Sequence, residues 1–249
     1  MQTEMVVALI AGAVAVASAA LTLWGQNRTA RLESKLEALR LAEQRRFEVD
    51  QTVAHYREPL ARAAYDLQSR LFNILEQNLL EVYFAQGDER ERSYVVDNTA
   101  FLVAQYFGWT EAVRRDIQYI DLGQDEQTRH LARLQDHIHS LFQTDSFDRT
   151  FRVFAGEQRA IGERMLIDGS RGLMCLGYAT FLDQLAKGHD RLIETLRADV
   201  CAMSADLNPA GPRLIAIQHA LIDLLAFIDP GFVRFSRERR SKVRVTSSG

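Results

Sequence analysis

Lysine is almost missing from this chain: of 30 basic residues among 249, only Lys35, Lys187 and Lys242 are lysine. The skew toward arginine, with abundant alanine, suggests a GC-rich bacterial genome, by compositional association alone. Proline is scarce, at 4 residues, and glycine is held to 14, so few breaks interrupt long helices. Cysteine is limited to Cys175 and Cys201, too few and too far apart for a disulfide framework. Both stand in apolar helical contexts, and reduced, buried thiols suit a cytosolic domain. Also missing are a phosphate loop, a dinucleotide fingerprint, a nucleophile elbow, a Cys-His pairing and zinc-finger spacing. No catalytic residue, cofactor or metal ligand is therefore assigned.

Present instead is one long uncharged run. Met5 to Trp24 is free of ionisable side chains, and twenty residues in a helix span about 30 Å, the thickness of a bilayer core. Trp24 falls where an interfacial aromatic belongs. A cleavable signal peptide is the rival reading, since Ala17-Ser18-Ala19 has the small-x-small pattern of a cleavage site. Against it, no basic residue precedes the run, and Leu21 to Trp24 continues it past the cut. The run is read as a single-pass transmembrane helix. Arg28, Arg31, Lys35 and Arg40 follow it closely, which by the positive-inside rule puts the N-terminus outside and the body in the cytoplasm, at the inner membrane. Ala8, Gly12, Ala15 and Ala19 share one helical face that a second copy could approach, giving a possible homo-oligomer.

The organisation that follows is an anchor over residues 1–25, a helical stalk over 26–56, an all-α cytosolic domain over 57–232 and a basic, disordered tail over 233–249. Leu32, Leu36 and Leu39 begin a coiled-coil seam in the stalk that Glu43 and Arg46 do not continue. Pro59 marks a helix start, and Leu60, Ala64, Leu67, Leu71, Ile74, Leu75, Asn78 and Val82 keep a helical period. A second helix carries Val95, Thr99, Leu102, Tyr106, Val113, Ile117 and Ile120 inward, with a bend at Gly108. A third, capped by Asp125, bears Leu131, Leu134, Ile138 and Leu141. Phe151, Phe154, Ile161 and Met165 extend the helical pattern to a turn at Asp168 to Gly172. Helices over Leu173 to Ala186, Asp190 to Met203 and Arg213 to Ile228 follow. No period-two alternation is long enough to require a strand, so the class is all-α, a multi-helix bundle. Leu214 to Ile228 is apolar but too short and too interrupted for a second span.

Several constellations invite a chemical reading. Glu126, His130 and His137 share a helix face, yet no second helix offers matching ligands and His139 points elsewhere, so they are read as ordinary polar residues. Gly156 to Gly162 lacks the strand and the Gly-Lys-Ser/Thr ending of a phosphate site and is read as close helix packing. Asp66, Arg70, Glu157 and Arg159 could converge as an acid-base cluster, but helices of this kind carry such pairs for solubility or specificity. Tyr106 to Trp109 is core or a partner groove. From residue 51 to 233 there are 18 basic against 26 acidic residues, a poor platform for nucleic acid. The last stretch reverses this sign with Arg234, Arg237, Arg239, Arg240, Lys242 and Arg244, which could meet anionic lipid.

The run Tyr56 to Ile74, with Phe151 to Gly162, resembles segments of uncharacterised bacterial single-pass membrane proteins with a helical cytosolic domain. The resemblance covers about half the chain and implies an architecture without an activity. The leading expectation is a membrane-tethered interaction or sensor module with a protein partner. The alternatives are a defence or stress effector whose helical domain gates oligomerisation of the membrane helix, and an enzyme with an unrecognised polar site.

Overall fold

The computed structural model describes residues 2–118, 126–170, 172–188 and 190–244; within 2–54, and at 116–118 and 127–128, it describes the backbone alone for part of the residues. The chain divides into two units, Met1–Gln51 and Thr52–Gly249.

The first unit is helical throughout its described residues and belongs to α1 (Gln2–Glu76). The transmembrane reading of Met5 to Trp24 falls mostly on side chains outside the described residues; Leu21 and Trp24, which are described, are exposed. The same holds for Ala8, Ala15 and Ala19 of the small-residue face. Leu32, Leu36, Leu39 and Leu41 stand exposed along the helix.

The second unit holds the rest of α1 and α2 (Glu89–Gln118), α3 (Glu126–Gln143), α4 (Ala155–Met165), α5 (Tyr178–Lys187), α6 (Arg191–Ala205) and α7 (Gly211–Ile228). It is mostly helical, as the periodicities require. Leu60, Ala64, Leu67, Leu71 and Ile74 are buried at the predicted spacing. Pro59 does not begin a helix, however: α1 runs through it, so the proline removes one rung of the ladder, to the carbonyl of His55, without ending the helix. Asn78 and Val82 leave the pattern and are exposed, because Asn78 turns to φ 52° and the chain re-forms as one π-helical turn, Glu81–Ala85.

α2 packs on α4, α5 and α6, and α3 packs on α7. Gly108 does not end α2, which continues to Gln118. Gly108 and Gly162 serve the α2–α4 crossing instead. A Cβ on Gly162 would sit 2.6 Å from the Phe107 carbonyl oxygen, and one on Gly108 would sit 2.8 Å from Met165 Cβ. Gly156, grouped with Gly162 from the sequence, has nothing within 4 Å of its missing Cβ and contributes no such packing.

Two short strands, β1 (Leu166–Gly169) and β2 (Gly172–Cys175), form an antiparallel hairpin where a turn and a helix start were expected. Gly172, paired with Gly169 at the end of the hairpin, has φ 129°, a conformation other residues rarely adopt. Four-residue strands are too short to show alternation. α6 begins one residue late, with Asp190 accepting from the backbone N–H of Leu192 at 3.0 Å.

α7 is the helix among the described residues long and apolar enough to cross a membrane, with mean hydropathy 1.4. Leu214, Ile217, Leu221, Leu224 and Leu225 are buried in the core, so its hydropathy is that of a central packing helix. The cap at Asp125, Ile120 and the side chain of Ile117 lie outside the described residues.

Candidate functional site

The polar face of α1, Asp66 to Arg70, divides around the buried Leu67. On one side Gln68 is buried, which would be costly for an amide left unpaired. Its Nε2 donates to the Arg239 carbonyl at 3.1 Å and its Oε1 accepts from Gln218 Nε2 on α7 at 3.2 Å. Gln218 in turn donates to the Ser241 carbonyl at 2.9 Å and accepts the Val243 N–H at 3.2 Å. His219 Nε2 lies 2.9 Å from the Val243 carbonyl oxygen. The two glutamines thus hold the main chain of residues 239–243 as a neighbouring strand would.

The basic end of the chain, expected to be a disordered tail, is packed as far as Arg244. Arg240 is buried, donates to the carbonyls of Asp229 at 2.9 Å and Leu225 at 3.3 Å, and pairs with the Asp229 carboxylate. Phe235 stacks on Tyr65 at 4.3 Å, and Val243 is buried. Composition alone hid this, because the apolar anchors Phe235 and Val243 stand singly among charges. Between this packed C-terminal strap, residues 233–244, and α1 lies a cavity of about 450 Å³, lined by Ser69, Phe72, Asn73 and Gln77 on one wall and Glu238 and Arg239 on the other. Amides, a hydroxyl and one residue of each charge can bind a polar group there; they include no base beside a nucleophile.

On the other side of α1, Arg70 is buried, donates to Asn98 Oδ1 at 2.5 Å and stacks over Tyr94 at 5.4 Å. Nearby, Arg197 bridges Asp97 at 2.8 Å and Glu194 at 2.9 Å. Burial, with Asp97 adding to it, raises the Tyr178 phenol above its ordinary value.

The four members of the anticipated acid-base cluster have separate partners. Burial raises the Asp66 carboxyl, and Arg62 opposes that shift. Glu157 accepts the Phe154 N–H at 2.9 Å as a helix-start contact. Arg159 is exposed, in electrostatic reach of His139. Among the described residues no ion pair or hydrogen bond joins these four. Of the histidine face, His130 packs on Phe227 at 4.8 Å and stands 3.3 Å from Arg133, and His137 is exposed. Among the described residues no three His, Cys, Asp or Glu side chains gather as a metal site. Tyr106, Phe107 and Gly108 are buried, so that segment is core. Burial pushes the half-buried Cys175 thiol up to about 12, and Cys201 is exposed.

Three buried charges were not singled out from the sequence. Glu111 binds Arg114 at 2.5 Å and Arg115 at 2.8 Å, and Arg115 reaches Glu163 at 2.8 Å. Burial pushes the Glu111 carboxyl up, but the two guanidiniums outweigh it and hold it below its ordinary value. The i, i+3 and i, i+4 spacing was the available signal. Arg213, fully buried, donates to the carbonyls of Leu141, Phe142, Thr144 and Asp148 at 2.6 to 2.9 Å, closing the C-terminal end of α3. For Asp229, burial pushes the carboxyl up, while the amides of Arg234, Val233 and Phe235 and the Arg240 guanidinium bring it below its ordinary value.

Compared with family models, with curated proteins and with solved structures, the chain has no match.

Proposed function

We propose that the protein is a membrane-tethered interaction module, anchored by Met5 to Trp24 with its N-terminus outside and its body at the cytoplasmic face of the inner membrane. The observation that carries this reading is the uncharged run with Arg28, Arg31, Lys35 and Arg40 on one side of it only. Support for interaction over catalysis comes from the buried charges: those described above are occupied in caps, ion pairs and carbonyl clusters, which are structural uses. The exposed leucines Leu32, Leu36 and Leu39 offer a short apolar seam to a helical partner, either the same chain or another.

Alkaline extraction of membranes from cells making the full chain tests the tether. The protein is expected in the membrane pellet, resistant to carbonate and released by detergent. Quantitative release by carbonate would contradict it.

A further inference from the structure

The loop after α7 places bare apolar side chains among arginines. Phe232, at φ 54°, and Val233 form its tip, and Val233 is 81% exposed, the most of any large hydrophobic side chain among the described residues. The tip is not slack. The Asp229 carboxylate accepts the N–H groups of Val233, Arg234 and Phe235 at 3.0, 3.2 and 3.3 Å, and Arg240 lies under the Phe232 ring at 4.8 Å. A buried ion pair therefore holds an apolar tip out in water.

Around it stand Arg57, bound to the Ile228 carbonyl at 2.9 Å, Arg62 over the Phe235 ring at 4.8 Å, Arg234, and Arg237 at 6.0 Å from the Phe232 ring. With Arg239 they make five exposed arginines, against the exposed glutamates Glu58 and Glu238. The sign is opposite to that of residues 51–233 as a whole. Among the described residues, Arg234 alone of these five forms an ion pair with an exposed carboxylate, to Glu58 at 3.2 Å.

The geometry points to this loop as a second membrane contact: Phe232 and Val233 enter the interface of an anionic bilayer while the surrounding arginines meet lipid phosphates. Phosphate alone would account for the arginines. The apolar tip selects lipid over nucleic acid, because a phosphate backbone gives Val233 nothing to bury in, whereas a bilayer interface rewards apolar insertion beside basic residues. The inference rests on the membrane-tethered reading, which supplies the bilayer.

The test uses the full chain reconstituted into vesicles of phosphatidylcholine, with or without phosphatidylglycerol. An environment-sensitive fluorophore is placed at Val233→Cys in a Cys201→Ser background, and the native chain labelled at exposed Cys201 is the control. The expected result is a blue shift and loss of iodide quenching at position 233 in the anionic vesicles only. Salt should reverse it. Arg234→Gln with Arg237→Gln should shift the docking equilibrium by about 25-fold, at roughly fivefold for each charge removed. A water-like probe in both vesicle types overturns the inference, as does equal burial in both, or protection that appears only when nucleic acid is added. The two readings fail separately: carbonate-soluble protein contradicts the anchor, and an embedded chain with a water-exposed probe contradicts the loop alone.

Discussion

Arg240 and Asp229 meet as a buried ion pair eleven residues apart, their side chains 3% and 9% exposed. It is the lock of the C-terminal strap, because Arg240 also takes the carbonyls of Leu225 and Asp229, and the Asp229 carboxylate takes three backbone amides. Breaking such a pair leaves an uncompensated charge in the interior.

Arg240→Met is therefore expected to destabilise the fold by about 3 to 5 kcal/mol in urea titrations, with hydrogen exchange accelerated first over residues 229–244. Gln218→Ala removes the acceptor of the Val243 N–H. It should cost about 1 to 3 kcal/mol and deprotect the same segment. A strap whose exchange is unchanged in both variants would refute the assignment.

Arg213 gives the second prediction. Its guanidinium serves four carbonyls at and beyond the end of α3 and, among the described residues, forms no ion pair, Asp148 and Asp199 acting on it only at a distance. Arg213→Met should lose roughly 3 kcal/mol or more, since several buried acceptors lose their donor together. Arg213→Lys should recover only part, because a point ammonium cannot span the four sites that a planar fork reaches. Equal stability of the lysine variant and the native chain would contradict this.

The periodicity of α1 beyond Pro59 was legible because that stretch buries an apolar stripe, and Leu60, Leu67 and Leu71 lie where spacing puts them, while α7 was legible from its apolar content. What escaped depends on distant partners. Gln68 and Gln218 find their partners in residues 239–243, which no local pattern reveals, and the hairpin at Leu166 to Cys175 is too short to carry a pattern of its own. Of the candidate clusters, the sequence considered Arg70 beside Asp66, Glu157 and Arg159 and read such pairs as structural; its partners are Asn98 and Tyr94 on α2, which helix spacing along α1 says nothing of.

The glycines separate by position. Gly162→Ala should cost about 1 to 3 kcal/mol by forcing α4 from the Phe107 carbonyl, whereas Gly156→Ala, facing open space, should be neutral or stabilise by up to about 1 kcal/mol. Thermal melts of the two variants distinguish these outcomes directly.

His139 supplies a pH dependence. Burial, over the opposing pull of Asp136, keeps its imidazole below the ordinary value. The unfolded chain then takes up the proton first as pH falls through about 6.5. Stability is lost from that point down to the folded pKa. His139→Gln should flatten this part of the profile, so the native chain loses ground to the variant as pH falls below about 7. Asp229 and Glu111, held low, add their own loss at lower pH, beginning near the unfolded carboxyl value of about 4. Parallel profiles for the native chain and the variant would contradict the His139 assignment.

The orientation of the chain is tested most directly by the accessibility of single thiols in intact spheroplasts. Cys201 is exposed on α6, and Cys175 is held unreactive by burial. A membrane-impermeant maleimide should leave Cys201 unlabelled until the cells are lysed, and should label Thr3→Cys in a Cys201→Ser background before lysis. Labelling of Cys201 in intact spheroplasts, or of neither site without lysis, would contradict a cytoplasmic body on an outward-facing N-terminal anchor.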